Sequence, residues 1–433
     1  MRDLLVASIV FGALPFILKR PFWGILLLAG LGYMNPHRLC YGFMLSMPVV
    51  QIVAIVTLFG MLLSSEPKRL VWSREVIVLV AFIVWMGITT SAAFYFDPAL
   101  QQYVKVIKIQ VITFMTLLLL TSKDRVHLFV WVLVLSLAFY GVKGGLFTIA
   151  KGGEHRVWGP PGTFIGGNNE LAMALVMTIP LMRYLQLQER RRWLRAALGL
   201  SMLLTALAAF GSQSRGALVA LVLTGGMFWL KSRHKLATLV FVLFAAIVGL
   251  SLMPEAWFER MRTIETYEQD RSATGRLNQW GNAINIANDR VLGGGFETWK
   301  PAVCARYAPN PHDCREVHSI YFEVLGEHGW IGLSFFLTLL GLTWLRCSHT
   351  VRLARGHAGM QWASDLSRMI QVSLVAYMSA GAFLGLAYFD YFYHLIALAV
   401  MAHFLVRKEL VSVPIPNQQQ AQILGRQVGA VRN

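Results

Sequence analysis

The sequence has 433 residues, of which 56% are hydrophobic and only 14% are charged, and its mean hydropathy is +0.54. Disordered chains are poor in apolar residues, and small disulfide-stapled domains are shorter and richer in Cys, so both classes are excluded. A soluble enzyme is disfavoured because apolar runs of about 18 residues or more recur along most of the chain. The composition predicts a polytopic membrane protein.

The net charge of +17 would suggest a nucleic-acid partner in a soluble protein. Here the basic residues cluster in short connections at the ends of apolar runs, which is the pattern of cytoplasmic loops under the positive-inside rule. The excess charge therefore indicates topology, and we expect no nucleic-acid partner. The clusters are Lys68, Arg69 and Arg74; Arg190, Arg191, Arg192 and Arg195; Lys231, Arg233 and Lys235; Arg346, Arg352 and Arg355; and Arg407 with Lys408.

The apolar runs predict the membrane spans, which lipid forces to be helical. Two short runs at 3–18 and 22–34 are broken by Lys19-Arg20-Pro21. If they form one span or a shallow hairpin, the total is 12 spans with both termini cytoplasmic; if both cross, it is 13. We expect an all-α polytopic protein with about 12 transmembrane helices. The later runs are 47–64, 75–95, 101–121, 125–150, 168–187, 194–211, 215–231, 236–254, 319–346, 366–386 and 389–406.

These spans divide the chain into N-terminal transmembrane helices (1–254), one large periplasmic segment (255–318), C-terminal transmembrane helices (319–406) and a cytoplasmic tail (407–433). In the periplasmic segment, Leu277, Trp280, Ile284 and Ala287 recur at helical spacing. They predict an amphipathic helix at about 274–289 that lies over the outer mouth of the bundle. The Gln-rich sequence after Val411 is expected to be disordered.

Cys304 and Cys314 lie in the same outer segment, where an oxidising periplasm favours a disulfide over two free thiols. They lack the CxxC spacing of a zinc site. The segment also has no paired-carboxylate motif of the DxD kind. We therefore expect chemistry without a bound metal ion or other cofactor.

Arginines on the outer face are the first candidates for a site. Arg215 opens a span, where the helix dipole and the positive-inside bias both oppose a cation unless an anion is near. Arg276 begins the predicted outer helix, and an Arg fork there matches phosphate oxygens. Arg290 ends that helix, and Arg156 lies in the outer loop 151–167.

His318 directly precedes an apolar run and is suited by its ordinary pKa to act as a general base. The alternative is a hydrogen-bonded helix cap. Glu323 and Glu327 follow it, and either one orients the ring or has a structural role.

Other polar groups near the outer ends of spans are candidates for substrate binding. Lys105 and Lys108 share one helix face, and either line an anion path or extend to the interface. Asn168 and Asn169 open another span, where capping is the simpler role. Asp390 and His394 lie in the last span, where ionisable groups suggest function. The residues assigned to substrate binding are Arg156, Lys108, Gln213, Asn169, Arg290 and Trp280.

The order of these motifs resembles that of the O-antigen ligase and polymerase superfamily. The motifs are Gln213-Ser-Arg-Gly216, Thr274-Gly-Arg276, Trp280, Gly293-Gly-Gly-Phe296 and His318-Ser-Ile-Tyr-Phe-Glu-Val-Leu-Gly-Glu-His-Gly-Trp-Ile-Gly332. Met34-Asn-Pro-His-Arg38 further resembles the exosortase-associated O-glycosylation ligase branch. The resemblance covers about residues 30–406 and is strongest over 211–332.

This resemblance implies a GT-C-like glycosyltransferase of the bacterial inner membrane whose active site faces the periplasm. It implies transfer of a glycan from undecaprenyl diphosphate to a sugar hydroxyl of the lipid A–core oligosaccharide, with inversion and without metal. Arg215 and Arg276 would hold the diphosphate, and His318 would activate the acceptor hydroxyl. The chain departs from the pattern at Ser319, where relatives often have Asn.

Two alternatives remain open at this point. Polymerisation of lipid-linked repeat units, or transfer to protein, would need the same donor site and differ only in acceptor. A transporter of lipid-linked glycan belongs to another class, in which charged sites lie near the midplane, often in repeated halves. The candidate charges here gather at one outer face instead, which favours an enzyme.

Overall fold

The computed structural model describes residues 1–232, 234–262 and 271–412, and the described chain is built from helices. The helices are α1 Arg2–Lys19, α2 Phe22–Tyr33, α3 Val49–Leu63, α4 Arg74–Ser91, α5 Phe96–Leu119, α6 Lys123–Ala150, α7 Asn168–Gln188, α8 Arg192–Gly211, α9 Arg215–Lys231, α10 Lys235–Ser251, α11 Glu255–Arg262, α12 Arg271–Asp289, α13 Pro301–Tyr307, α14 Ile320–Leu353, α15 Gln361–Gly381 and α16 Asp390–Ser412.

Each of the predicted spans from 47–64 onward coincides with one of these helices. The two short N-terminal runs form separate helices, α1 and α2, which meet at Arg20-Pro21. The predicted outer helix exists as α12. The polar sequence after 412 lies outside the described residues.

Helix length and composition support a multi-pass membrane protein. Six described helices are long and apolar enough to cross a bilayer, or seven if α10 and α11, bent by 108°, form one span. The 15-residue α3 and the 17-residue α9 and α10 fall just short, since 17 residues rise about 26 Å. The long helices α15 and α16 carry buried polar groups such as Asp365 and His394, which lower their hydropathy. The total of 12 spans stays a prediction.

Three of the basic clusters predicted to share one face, at 68–74, 346–355 and 407–408, lie at the same end of the bundle; Arg233, in another cluster, lies outside the described residues. The guanidinium of Arg69, before α4, lies 4.7 Å from the ring centroid of Phe404 near the end of α16. Arg346, near the end of α14, pairs with Glu75 at the start of α4 at 2.7 and 2.9 Å. That this end is cytoplasmic stays a prediction.

Helix α7 forms the centre of the bundle and packs against α6, α8, α9 and α15. Its most apolar stretch is 72% buried, against 39% for α4. Around it, α14 packs against α4, α12 and α15, and α16 packs against α5 and α14. The outer helix α12 is thereby attached to the C-terminal half of the bundle through α14.

Helix α14 is broken at Gly329, whose φ of 66° and ψ of −171° are not helical. The break is held by the Gly293-Gly-Gly295 turn: Gly294 N and Gly295 N donate to the carbonyls of Gly326 and Glu327, each at 2.8 Å. The carboxylate of Glu327 accepts hydrogen bonds from Tyr388 Oη at 2.7 Å and Glu297 N at 3.2 Å. The short first half of α14, which follows His318, is therefore oriented by this turn.

Replacing Gly329 with Ala is expected to destabilise the protein by about 1–3 kcal/mol or more, because only Gly adopts its backbone angles readily. An added Cβ would also clash with the carbonyl oxygen of Val291. Gly341→Ala in the same helix is the matched control, since an added Cβ there meets nothing within 4 Å. The melting temperature in detergent should fall for the first variant and stay level or rise for the second. Equal melting temperatures would contradict this role for the break.

The buried face of α12 differs from the predicted one. Leu277 is 49% exposed, whereas Asn278, Gln279 and Asn282 are buried. The apolar spacing located the helix, but its buried face is only partly the predicted one: Ala287 is buried and Leu277 is not, because α12 also uses amide side chains to bind neighbouring backbone. The helix also begins at Arg271, so Arg276 lies in its second turn and not at its start.

Candidate active site

A cavity of about 220 Å³ brings together Arg215, Arg276 and His318, the three residues predicted to be catalytic. It lies where the starts of α9 and α14 meet the end of α15 and the first turns of α12. Asn169, assigned to substrate binding, lines it as well. The other lining residues are Ser214, Gly216, Ala217, Arg260, Gly275, Arg315, Glu316, Ala380, Phe383 and Leu384.

Arg215 is the first residue of α9, and the capping of that helix fixes its position. The hydroxyl of Ser214 accepts a hydrogen bond from Ala217 N at 3.2 Å. Asn168 Nδ2 donates to the Ser212 carbonyl at 2.9 Å and ties the start of α7 to the same turn. An anion bound here would meet the positive end of the α9 dipole and a guanidinium together.

The polar face of α12 positions the segment that leads to His318. Asn278 Nδ2 donates to the carbonyls of Asn310 and Asp313 at 2.9 and 2.8 Å, and Gln279 Nε2 donates to Asp313 at 2.8 Å. Trp280 Nε1 donates to the Val317 carbonyl at 3.2 Å. The same helix therefore carries Arg276 and holds the chain on both sides of Arg315 and Glu316.

A disulfide closes the other side of this segment. Cys304 in α13 and Cys314 are bonded, with Cα atoms 5.7 Å apart, as the sequence favoured. Cys304 Sγ lies within 3.9 Å of the side chain of Gln279. The crosslink therefore fixes the residue directly before Arg315 against α12.

His318 has a left-handed backbone with φ of 46°, which for a residue other than Gly indicates a constrained position. Burial lowers the pKa of its imidazole below the ordinary value of 6.5. The carboxylate of Glu316 acts in the opposite direction, and the guanidinium groups of Arg276 and Arg315 lower the pKa further. The ring is thereby kept neutral near pH 7, the form that accepts a proton.

A sharp bend brings a further arginine to the cavity. Helix α11 leaves α10 at 108°, and Trp257 in α11 packs against Phe210 and donates to its carbonyl at 3.3 Å. Arg260, one turn later, lines the cavity.

Four arginines and one carboxylate line the cavity, so its charge suits an anion carrying more than one negative charge. In the part of the chain that the structure describes, no group of three or more His, Cys, Asp and Glu side chains is arranged to hold a metal ion.

Two predicted binding residues lie beside the cavity and hold a loop. Gln213, with φ of 55°, donates through Nε2 to the carbonyls of Gly153 and Glu154 at 3.0 and 3.2 Å. Arg156 Nε donates to Gln213 Oε1 at 3.3 Å. Their contacts join the outer loop 151–167 to the turn before Arg215.

Two other predicted binding residues have packing contacts outside the cavity. The Trp280 ring stacks on Phe322 with centroids 4.8 Å apart. Arg290 lies 4.1 Å above the Phe94 ring and donates to the Ala92 carbonyl at 2.6 Å. In this structure Trp280 positions the backbone before His318, and Arg290 attaches the end of α12 to α4.

Lys108 lies in a different cavity of about 520 Å³, which we call the lysine cavity. Lys105, Asp390 and His394 line it together with apolar side chains of α2, α5 and the loop before α7. Both cavities lie at the same end of the bundle. Lys105 and Lys108 nevertheless line a different cavity from Arg215.

Neither acidic candidate after His318 reaches its ring. Glu323 accepts a hydrogen bond from Ala387 N at 3.0 Å, and Glu327 supports the break in α14. Glu316 is the carboxylate beside His318 in the cavity. Glu316, Arg315 and Arg260 were not predicted from the sequence as site residues. Glu316 and Arg315 could have been, because they are charged residues two and three positions before His318.

Comparison with known protein families gives two matches, which together cover most of the first 337 residues. Residues 200–337 match a family model described as O-Antigen ligase, and residues 1–190 match a family of unknown function, DUF5935. No curated protein matched the chain. The first match supports the O-antigen ligase/polymerase superfamily and an activity of the ligase or polymerase type. Arg215, Arg276 and His318 all lie within the matched segment.

Proposed function

We propose that the protein transfers a glycan from undecaprenyl diphosphate to a sugar hydroxyl of the lipid A–core oligosaccharide, at the periplasmic face of the bacterial inner membrane. The observation that carries this proposal is the single cavity that contains Arg215, Arg276 and His318. The match of residues 200–337 to the O-Antigen ligase family supports the reaction class. We also propose that the protein belongs to the exosortase-associated O-glycosylation ligase branch of this superfamily.

The arginines bind the leaving group. When the glycosidic C–O bond breaks, its electron pair passes to the diphosphate, and the developing charge falls on oxygens that guanidinium groups can bind bidentately. Preorganised cations in a site shielded from water stabilise such charge without reorganisation. We propose that Arg215 and Arg276 fill this role, with Arg260 and Arg315 beside them.

His318 acts as the base. The acceptor hydroxyl attacks the anomeric carbon on the face opposite the diphosphate, so the new C–O bond forms with inversion. Its proton passes to the imidazole, which is neutral near pH 7. The products are glycosylated lipid A–core and undecaprenyl diphosphate, and the imidazolium later releases its proton to water.

The apolar wall of the cavity suits a lipid-linked donor. Phe383 and Leu384, after α15, are among the residues that line it. The polyprenyl chain is expected to leave the cavity along this wall toward the bilayer.

Reconstitution tests the proposed function. Purified protein is mixed with undecaprenyl-diphosphate glycan and lipid A–core in EDTA, and the products are separated on a gel. The proposal expects a glycan ladder on lipid A–core that persists in EDTA. Lengthening of the lipid-linked donor alone would instead identify a polymerase. No change in either lipid would overturn the proposal and favour a protein acceptor or a transporter.

The pH profile gives a separate test of the base. Transfer should fall as pH drops through the pKa of His318, which lies below 6.5, because the imidazole is then protonated. Glu316→Gln removes a charge that raises this pKa, so the acidic limb should move to lower pH. Arg315→Gln removes a charge that lowers it, so the limb should move to higher pH. Shifts in the same direction, or none, would contradict the assignment of His318.

A further inference from the structure

A third cavity, of about 610 Å³, lies at the opposite end of the bundle from the candidate active site. It lies between the start of α4 and the ends of α14 and α16. Helix α14 rises roughly 30 Å over the 20 steps from Gly329 to His349, so it separates this cavity from His318 by about the thickness of a bilayer core. We call it the inner cavity; its basic and histidine residues are Arg74, Arg346, Arg352, Arg407, His349 and His403.

The inner cavity has an excess of positive charge. Glu75 is the carboxylate that lines it, and that group is paired with Arg346 at 2.7 Å. Among the residues that the structure describes, Arg352 and Arg407 form no ion pair. Arg74 opens α4, where the helix dipole opposes a cation. An anion would offset these unfavourable charges.

A buried histidine in the same cavity has an unused hydrogen-bonding atom. His403 is 3% exposed, and its Nδ1 pairs with Thr350 Oγ1 at 3.1 Å. Its Nε2 is buried and has no hydrogen-bond partner within the described chain. Its ring centroid lies 5.0 Å from that of His349. Buried polar atoms are normally satisfied, so this atom suggests a bound oxygen.

The lining of the inner cavity changes from apolar to cationic along two helices. On α14, Leu342 and Leu345 precede the basic residues, and on α16, Val400 precedes Arg407. Leu345 is 61% exposed, so the apolar part of the wall continues onto the outside of the bundle. An amphiphile with an anionic head matches this order.

We propose that the inner cavity binds the phosphate headgroup of an anionic phospholipid, whose acyl chains lie along Leu342, Leu345 and Val400. Basic pockets between transmembrane helices bind such headgroups at the membrane surface. Arg352 and Arg407 bind the phosphate. Because Thr350 Oγ1 donates to the Arg346 carbonyl, it accepts from His403 Nδ1, and His403 Nε2 is left to accept a hydrogen bond from a hydroxyl of the headgroup. The binding does not depend on the proposed transferase activity.

Lipid-dependent thermal unfolding of the full-length protein in an uncharged detergent tests this proposal. The probes are phosphatidylglycerol, phosphatidylcholine and inorganic phosphate. Phosphatidylglycerol should raise the melting temperature of the wild type more than the other two do. The double variant Arg352→Gln/Arg407→Gln should bind phosphatidylglycerol about 30-fold more weakly, at about 1 kcal/mol for each Arg removed.

The control variant is Arg355→Gln/Lys408→Gln, which removes the same charge from the same end of the bundle without touching the cavity lining. It should respond to phosphatidylglycerol as the wild type does. If both double variants bound phosphatidylglycerol equally weakly, the loss of binding would come from general surface charge and not from the inner cavity. That result would overturn the proposal. Equal stabilisation of the wild type by phosphatidylcholine or by inorganic phosphate would also overturn it. If the first variant does not fold, the wild-type comparison of the three probes still decides.

Discussion

Replacing His318 with Asn is expected to lower glycan transfer by about 100- to 10,000-fold, the usual contribution of a general base. Asn is chosen because it tolerates the left-handed backbone that His318 adopts at φ of 46°. The variant should therefore fold while losing the group that accepts the proton. Donor binding should remain, since the arginines are unchanged. The measurement is the initial rate of ladder formation at fixed donor and acceptor concentrations.

His312→Asn provides the matched control for this change. It removes an imidazole from the same outer segment at an exposed position outside the cavity. Its transfer rate and melting temperature should equal those of the wild type. A His318→Asn enzyme with normal transfer would remove His318 from the mechanism, whatever the control does.

Replacing Arg276 with Gln is expected to cost about 100- to 1,000-fold in transfer rate, as for loss of one group that stabilises developing charge. Arg215→Gln should have a loss of the same order. Lys at either position should recover only part of the rate, because its ammonium cannot bind two phosphate oxygens in a fork. Both variants should also bind undecaprenyl diphosphate more weakly, which distinguishes them from His318→Asn.

Arg306→Gln is the control for the arginine variants. Arg306 lies in α13 of the same outer segment, its side chain is 69% exposed, and it pairs with Asp289 at 3.5 Å. Its loss should leave transfer unchanged because exposed ion pairs contribute little. If Arg276→Gln and Arg306→Gln lowered the transfer rate equally, the loss of rate could not be attributed to the position of Arg276 in the cavity.

The positions of the membrane helices could be predicted from the sequence because lipid leaves the chain few choices. A long apolar run must satisfy its own backbone, so its length and ends follow from composition. The number that crosses was harder to predict, since α2 and α3 are short and α15 and α16 bury polar groups. Burial inside a bundle and exposure to lipid are not distinguished by hydropathy alone.

The orientation of α12 could not be predicted from apolar spacing. Its buried face uses Asn278 and Gln279 to bind the backbone carbonyls of Asn310 and Asp313. In the sequence alone, Asn and Gln at these positions indicate a helix face exposed to water. The contacts connect segments more than 30 residues apart, and no local pattern encodes them.

The sequence proposed Arg215, Arg276 and His318 as charged or titratable groups near the predicted outer face, and the structure brings all three to one cavity; their catalytic roles stay a prediction. Their neighbours were not all predictable. Arg260 reaches the cavity through the bend between α10 and α11. Lys108 lies at the same end of the bundle as Arg215 but lines the lysine cavity, because helix packing decides which cavity a side chain lines.

The structure of the protein bound to undecaprenyl diphosphate tests the central claim most directly. The proposed function requires the diphosphate in the cavity of about 220 Å³, within hydrogen-bonding distance of the guanidinium groups of Arg215 and Arg276. The sugar end of the donor site should then face the imidazole of His318. A diphosphate bound instead between Lys105 and Lys108 in the lysine cavity would contradict the assignment of both arginines.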